Sequence, residues 1–347
     1  MTCIGYYVHH HGRGHEHRFG AIAREIGADV RLVPISERRL PGGVHLPSDV
    51  PEGPPVDPDS RGLLHWAPVD SPESSRRLKV LVDWLDAERP AGVVVDVSIE
   101  VLLACRLAGV RTIAVRQHGD RTDPAHRLGY GSACRLLAPF PAEFETSTDP
   151  TVYERTDYAG FISPFDGAGV GRAARRTGQS PSPVVVTADD VVVLWGRGGG
   201  HISGRRLDAI AAAIDGRVIC AGTDIWSADD PPTAAVLSLG WVLDPSSLLR
   251  NRPVVIGSSG NNGTALVAAT KCPFVAVPQW RPFDEQVQLA EALEAAGVAA
   301  IAPIDDHHTS WNETIARARD RSRRWNRFAS DVDGAAVAAA SIRRHLA

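Results

Sequence analysis

Five histidines crowd into nine positions near the start of the chain, in the run His9-His10-His11-Gly12-Arg13-Gly14-His15-Glu16-His17-Arg18. Gly12 and Gly14 let a ligand approach the backbone closely, and the free amides of a helix starting there favour an anion or a polar group. The run is not a dinucleotide fingerprint, because Glu16-His17 stand where a third glycine is needed. Three readings of the histidines remain open. His9 and His11 lie on one face of an extended segment and can ligate a metal, although no regular carboxylate or cysteine partner stands at ligand spacing. They can be loop histidines without a role. Or His15, in a helix's first turn where the dipole favours neutral imidazole, can accept a proton as general base.

A second glycine turn, Trp195-Gly196-Arg197-Gly198-Gly199-Gly200-His201, has the same setting in the other half of the chain. The amides of Gly198 and Gly199 with the Arg197 guanidinium suit phosphate oxygens, and a plain flexible turn is the alternative. Three further segments carry polar groups: Gly240-Trp241-Val242, then Ser258-Ser259-Gly260-Asn261-Asn262-Gly263-Thr264, then Pro278-Gln279-Trp280-Arg281-Pro282-Phe283-Asp284-Glu285-Gln286. Each follows a predicted strand, so in an open parallel sheet all three lie at the carboxyl edge, where ligands bind. Trp241 offers a stacking face for a base, the amides from Gly260 to Thr264 open a helix toward a diphosphate, and Glu285 with Gln286 can take sugar hydroxyls. In the front half, Asp96 with Glu100 follows one strand, and Arg116, His118 and Asp120 follow the next. These groups can line a cleft and contact an acceptor, or they are caps and surface ion pairs. Asp96 can also orient His15, or replace it as the base.

The elements that must position these groups repeat one grammar: a short apolar strand, a glycine turn, an amphipathic helix. Cys3 to Val8 reads as a strand, and Phe19, Ile22, Ala23 and Ile26 recur at helical spacing until Gly27. Residues 91–96 form an unalternating apolar strand, Ser98 can cap the helix that runs to Gly109, and 110–115 return as a strand, a βαβ unit of a parallel sheet. Residues 36–72 are rich in Pro, Gly, Asp and Ser and read as a long surface excursion. After a linker-like stretch the grammar restarts with strands at 191–195, 217–221, 253–257, 273–278 and 298–303, and helices at 207–214, 264–270 and 285–296. Trp311, Ile315, Ala318 and Trp325 line one face of a later helix.

The chain has 347 residues, 44% apolar, which predicts about two domains. The expected boundaries are a front domain at 1–165, a linker at 166–183, a rear domain at 184–325 and a terminal helix over 326–347 that can return to the front domain. The predicted class is α/β, with two Rossmann-like doubly wound parallel sheets facing across a cleft. A net charge of −4, with Lys79 and Lys271 the only lysines, argues against nucleic acid as a partner. The arginine-rich stretches at 172–176 and 317–327 alternate with small or acidic residues and read as solvated or interdomain faces. No apolar run approaches the roughly 18 residues of a transmembrane segment, and five widely spaced cysteines without a Cys-x-x-Cys pair suit a reducing compartment. The expected location is the cytoplasm.

Taken in order, the rear-half segments resemble the C-terminal half of nucleotide-sugar glycosyltransferases of GT-B fold. They are similar both to the peptidoglycan N-acetylglucosaminyltransferase that makes lipid II and to the plant UDP-glycosyltransferases. The Gly12-x-Gly14-His15 turn with Arg18 is similar to the N-terminal turn of that superfamily. The resemblance implies that Trp241, with Val242, borders the base, that Ser259, Gly260, Asn261, Asn262, Gly263 and Thr264 hold the diphosphate, and that Glu285 and Gln286 bind the sugar. Gly14, Arg197, Gly198 and Gly199 join the donor set; Arg18, Glu100, Arg116, His118 and Asp120 are the acceptor set. One departure concerns the nucleotide: Leu266 stands where related enzymes hold the ribose hydroxyls with a Glu, and Ser258 replaces a diphosphate-binding His. The implied activity is inverting transfer from a nucleoside diphosphate sugar, most readily UDP-linked, to an acceptor hydroxyl or amine. His15 or Asp96 would serve as base, with no metal and no cofactor beyond the donor. The acceptor is a small molecule or a lipid-linked one. A nucleotide-sugar epimerase of the same fold and a non-catalytic sugar-nucleotide binder are the alternatives.

Overall fold

The computed structural model describes residues 1–10, 13–163, 184–196, 200–303, 309–328 and 333–347. The expected linker at 166–183 and the donor residues Arg197, Gly198 and Gly199 lie outside the described residues, as do His11 and Gly12. The chain divides into two compact units: Met1–Pro141 with Ser147–Pro164 and Val332–Ala347, and Ala142–Thr146 with Phe165–Asp331.

The first unit holds a seven-stranded parallel sheet, in the order β3-β2-β1-β4-β5-β6-β7. Its strands are β1 (Thr2–Val8), β2 (Val30–Ser36), β3 (Val44–His45), β4 (Gly92–Asp96), β5 (Thr112–Val115), β6 (Arg135–Ala138) and β7 (Thr156–Tyr158). Helices α1 (Gly14–Glu25), α2 (Pro72–Glu88), α3 (Ile99–Leu107), α4 (Pro124–Ser132) and the single turn α5 (Pro150–Tyr153) connect them. All five residues of β4 are buried, which explains a run of valines without alternation: both faces of the central sheet are covered. Ser98 caps α3, its Oγ accepting from Val101 N at 3.2 Å, and Gly109 takes φ +76° after the helix ends. The excursion 36–72 is not wholly irregular, since β3 lies in it and pairs with β2 at Ile35–Val44 and Ser36–His45.

The second unit holds a six-stranded parallel sheet, β10-β9-β8-β11-β12-β13, built from β8 (Val191–Leu194), β9 (Val218–Ala221), β10 (Val236–Ser238), β11 (Val254–Gly257), β12 (Phe274–Ala276) and β13 (Ala300–Ile301). Its helices are α6 (Gly204–Ala212), α7 (Asn261–Thr270), α8 (Glu285–Ala295) and α9 (Trp311–Arg321). Trp311, Ile315 and Ala318 pack with Val193, Val254 and Val275 in one core, and Trp325, on the short 3-10 helix Ser322–Arg327, is fully buried. In both sheets the chain reverses direction across the sheet beside the first strand, between β1 and β4 and between β8 and β11. Such topological switch points open a crevice beyond the carboxyl ends of the strands.

The terminal helix starts later than expected, as α10 (Gly334–Leu346), and belongs to the first unit. Ala335, Ala338, Ala339, Ile342 and Leu346 share a core with Ile4, Ala21, Ile22 and Ile26, and Arg343 Nη1 donates to Asp29 Oδ1 at 2.6 Å. Gly334 is where this docking is tightest, because a Cβ there would lie 2.3 Å from Phe161 O. Gly334→Ala is therefore expected to lower stability by about 1–3 kcal/mol through overpacking, overriding a gain in helix propensity of about 1 kcal/mol. Thermal unfolding measures it, and an unchanged or raised Tm would refute tight docking at this point.

Candidate functional site

Each switch point carries a cluster of polar side chains. In the first unit, α1 begins immediately beyond the turn after β1, with Arg13 as N-cap and no side-chain cap. His15 and Arg18 are three apart and so share a face of α1. Both meet Asp96, the last residue of the neighbouring strand β4. His15 Nδ1 lies 2.9 Å from Asp96 Oδ1, Arg18 Nη1 donates to the same oxygen at 2.6 Å, and the Tyr6 hydroxyl on β1 donates to Oδ2 at 3.1 Å.

Asp96 is fully buried and Arg18 only 4% exposed. Burial alone would raise the carboxyl's pKa, but the charge of Arg18 and then the interaction with His15 outweigh it and hold Asp96 below its ordinary value. Burial and the Asp96 charge push the Tyr6 phenol well up, so it stays a donor. An ionised carboxylate accepts only, so Nδ1 of His15 carries the shared proton, leaving Nε2 as the nitrogen able to take another. Val97, directly after Asp96, sits at φ +68°. A β-branched residue in the left-handed region is a true outlier, held here between a buried strand and a capped helix. The neighbouring histidines pack together, with His9 and His10 stacked at 4.7 Å and His9 to His15 at 5.6 Å between ring centroids.

The other front-half residues are engaged within their own unit. Glu100 Oε1 accepts from the backbone of His65 at 2.8 Å and Trp66 at 3.1 Å, pinning the 36–72 excursion. Arg116 is buried and donates to Thr156 Oγ1 at 3.0 Å, and His118 is buried with its ring 4.0 Å from that of Phe140. Asp120 is exposed and caps the turn at Thr122. Sequence reasoning passed over a further cluster, His65, Asp123 and His126, whose ligand-type atoms all lie within 4.8 Å of one another. Its hydrogen bonding is already satisfied internally. His65 Nε2 lies 3.0 Å from Asp123 Oδ1, His126 Nδ1 contacts Oδ2, and Arg121 lies 3.3 Å from His126 Nε2. Burial is the main cause that lowers His126 to about 4, keeping it neutral.

In the second unit, α7 starts without a side-chain cap, Gly260 being its extended N-cap. Ser259, fully buried, donates from Oγ to Gln286 O at 2.7 Å, and Gln286 Oε1 accepts from Gln279 N at 3.0 Å. A Cβ on Gly260 would lie 3.8 Å from Gln286 Nε2. Gln286 thus ties the loop after β11 to the loop after β12. Four buried side-chain atoms here have no hydrogen-bond partner: Asn261 Nδ2 and Oδ1, Thr264 Oγ1 and Gln279 Nε2. Each such orphan costs about 1–3 kcal/mol unless something satisfies it, and three at one uncapped helix start, with the fourth on the adjoining loop after β12, describe a receptacle for a polar ligand. Asn262 and Gly263 complete the first turn, and Glu285 opens α8.

Trp241 is 40% exposed after β10, with Val242 half-buried beside it. Gly240, at φ +63°, takes a hydrogen bond from Gly222 N at 2.8 Å on its carbonyl. It shares the carboxyl edge with the other segments, but β9 and β8 stand between β10 and β11, so it flanks the switch point on the opposite side. Beyond β8, Trp195 Nε1 donates to Gly200 O at 2.6 Å, and Ser203 caps α6 through Arg206 N at 3.3 Å. Leu266 is buried in α7.

No family model matches the sequence, and no functionally curated protein matches it. Solved structures do. The spinosyn rhamnosyltransferase SpnG, complexed with thymidine diphosphate, superposes with a TM-score of 0.67 at 16% identity, covering 100% of both chains. MurG of Acinetobacter baumannii gives 0.63 at 13% identity over 99% of this chain and 100% of its own. A UDP-glucosyltransferase from Polygonum tinctorium gives 0.63 at 13% over 99% and 98%. Identities this low speak for architecture alone, and that architecture agrees with two doubly wound parallel sheets of order 3-2-1-4-5-6, the first with one strand added. From end to end the chain matches the fold of solved GT-B glycosyltransferases.

Proposed function

We propose that the protein is an inverting, metal-independent glycosyltransferase that moves a sugar from a nucleoside diphosphate donor to an acceptor hydroxyl or amine. The observation that carries this reading is the His15–Asp96 hydrogen bond of 2.9 Å at the start of an uncapped helix. Asp96 fixes the tautomer, so Nε2 removes the acceptor proton as the acceptor oxygen or nitrogen attacks the anomeric carbon. The bond from that carbon to the diphosphate breaks on the opposite face, which inverts the centre. In the second unit the amides and orphan side chains at Asn261 and Thr264 take the diphosphate oxygens, stabilising the negative charge that the leaving group gains. Fixed donors in that position make a divalent cation unnecessary. Arg18 in this reading holds Asp96 ionised rather than touching the acceptor, while Glu100 shapes the acceptor side by holding residues 65–66.

Among the described residues no helix is long and apolar enough to cross a membrane, and all five cysteines are free thiols, which supports the cytoplasmic reading. UDP is the leading nucleotide. The buried Leu266 makes dTDP its natural competitor in a screen, since it offers nothing to a ribose hydroxyl.

A diphosphate at a hundred times its Kd is expected to stabilise the folded protein by about 2.7 kcal/mol, a rise in Tm of several degrees for a unit of this size. The same donor linked to a sugar should turn over in the presence of EDTA only when an acceptor is supplied. Absence of any shift with both diphosphates rejects the donor site. Isomerisation of the sugar without an acceptor transfers the assignment to an epimerase, and binding without any turnover to a carrier.

A further inference from the structure

The donor reading assigns the sugar to Glu285 and Gln286 and leaves two residues of the adjoining loop without a task. Gln279 is 3% exposed. Arg281 Nη2 donates to its Oε1 at 3.4 Å. A guanidinium can only donate, so the atom facing it is the amide oxygen and the orientation of the amide is fixed. The other end, Nε2, is a buried donor with no acceptor. The next residue, Trp280, is 79% exposed, far more than is usual for the largest apolar side chain.

The backbone beneath it is held on every side. Gln279 N donates to Gln286 Oε1 at 3.0 Å, and Arg281 Nη1 donates to Trp280 O at 2.9 Å. Phe283 and Asp284 then lie in the left-handed region at φ +64° and +54°. Two consecutive non-glycine residues there store strain of the kind that persists at ligand sites. The loop stands at the carboxyl end of β12, beside the loop after β11 that carries the other orphan atoms.

Resting on the donor reading, we propose that Gln279 and Trp280 form the shelf that recognises the donor's sugar. The Gln279 amide donates to a sugar hydroxyl oxygen, and the Trp280 indole covers an apolar C–H face of the pyranose. An indole on a fixed backbone gains contact area at little entropic cost, while the buried amide penalises any sugar that leaves it unpaired. The nucleoside diphosphate itself needs neither residue.

Calorimetry on the full chain with UDP and dTDP, each compared with its glucose conjugate and UDP also with UDP-N-acetylglucosamine, separates the two parts of the ligand. Trp280→Ala is expected to weaken a sugar conjugate that binds by about tenfold, leaving the bare diphosphate within about twofold, with Trp280→Phe recovering most of the loss. Gln279→Glu keeps the acceptor for Arg281 but turns the donor into an oxygen, and should weaken the conjugate by tenfold or more. Equal effects on conjugate and bare diphosphate, or none on either, overturn the shelf and leave the donor site standing. Failure of the wild type to bind either bare diphosphate overturns both.

Discussion

Replacing His15 by alanine is expected to lower kcat by a factor of about 10² to 10⁴, the usual worth of a positioned general base, without changing the Kd for the nucleoside diphosphate. The two readouts separate because the imidazole belongs to the first unit and the orphan polar atoms at the start of α7 to the second. Folding should survive. Without the ring, Asp96 still accepts from Arg18 at 2.6 Å and Tyr6 at 3.1 Å, so the loss is one hydrogen bond to a charged group, about 1.5–3 kcal/mol. His15→Gln sharpens the result, since its amide can donate to Asp96 and restore that bond but has no basic nitrogen. A glutamine variant that is stable yet as slow as the alanine variant identifies proton transfer as the missing function. Turnover within tenfold of wild type in either variant removes His15 from the role of base.

Much of this arrangement was legible in advance, and the exceptions have physical reasons. The valine run of β4, the Ser98 cap and the glycine stops at Gly27 and Gly109 are local signals, and the structure follows them. The pairing of His15 with Asp96 is legible as one of two readings of that carboxylate, but the place of Arg18 in it is not, because α1 and the end of β4 are some eighty residues apart in sequence. Only the crossover that seats β4 beside β1 brings them together. Arg18 was consequently read as an acceptor contact, whereas it is buried against a carboxylate.

The two-residue β3 and three-residue β7 are too short for periodicity to register. Their pairing is imposed by the strands beside them. Helix α2 did leave a signal, Ser71 before Pro72 with Leu81 and Leu85 four apart, inside a region whose neighbour reads as loop. In the second unit the glycine-rich helix start was legible from composition, but not that Asn261, Thr264 and Gln279 would be left with orphan atoms. Hydrogen-bond satisfaction depends on what packs around a group and leaves no trace in spacing. Trp241 was expected to converge with the other donor segments. It shares their sheet edge, but strand order sets it on the far flank of the switch point.

Asp96→Asn is expected to be the most disruptive single substitution, in two separable ways. The first concerns rate. Asparagine can offer its NH₂ to Nδ1 of His15 and so favour the tautomer with the proton on Nε2, leaving no lone pair toward the acceptor; a tautomer error of this kind in a hydrolase triad costs about 10⁴ in kcat. The second concerns stability. Arg18 would be left buried without a counter-charge, and breaking a buried pair on one side costs about 3–5 kcal/mol. The pH dependence carries a definite sign. The Asp96 carboxyl is held below its ordinary value of 3.8 in the folded protein. Its stabilising contribution is therefore complete above that value and is lost as pH falls through the lower folded one. The stability gap between wild type and variant should be full at neutral pH and shrink only in strong acid. Adding Arg18→Leu to Asp96→Asn removes the stranded charge, so much of the stability should return, a coupling expected of residues in contact. Turnover should not return with it, because the tautomer error remains. Recovery of both would make Asp96 a structural partner of Arg18 alone, whereas recovery of stability without rate marks it as the residue that positions His15.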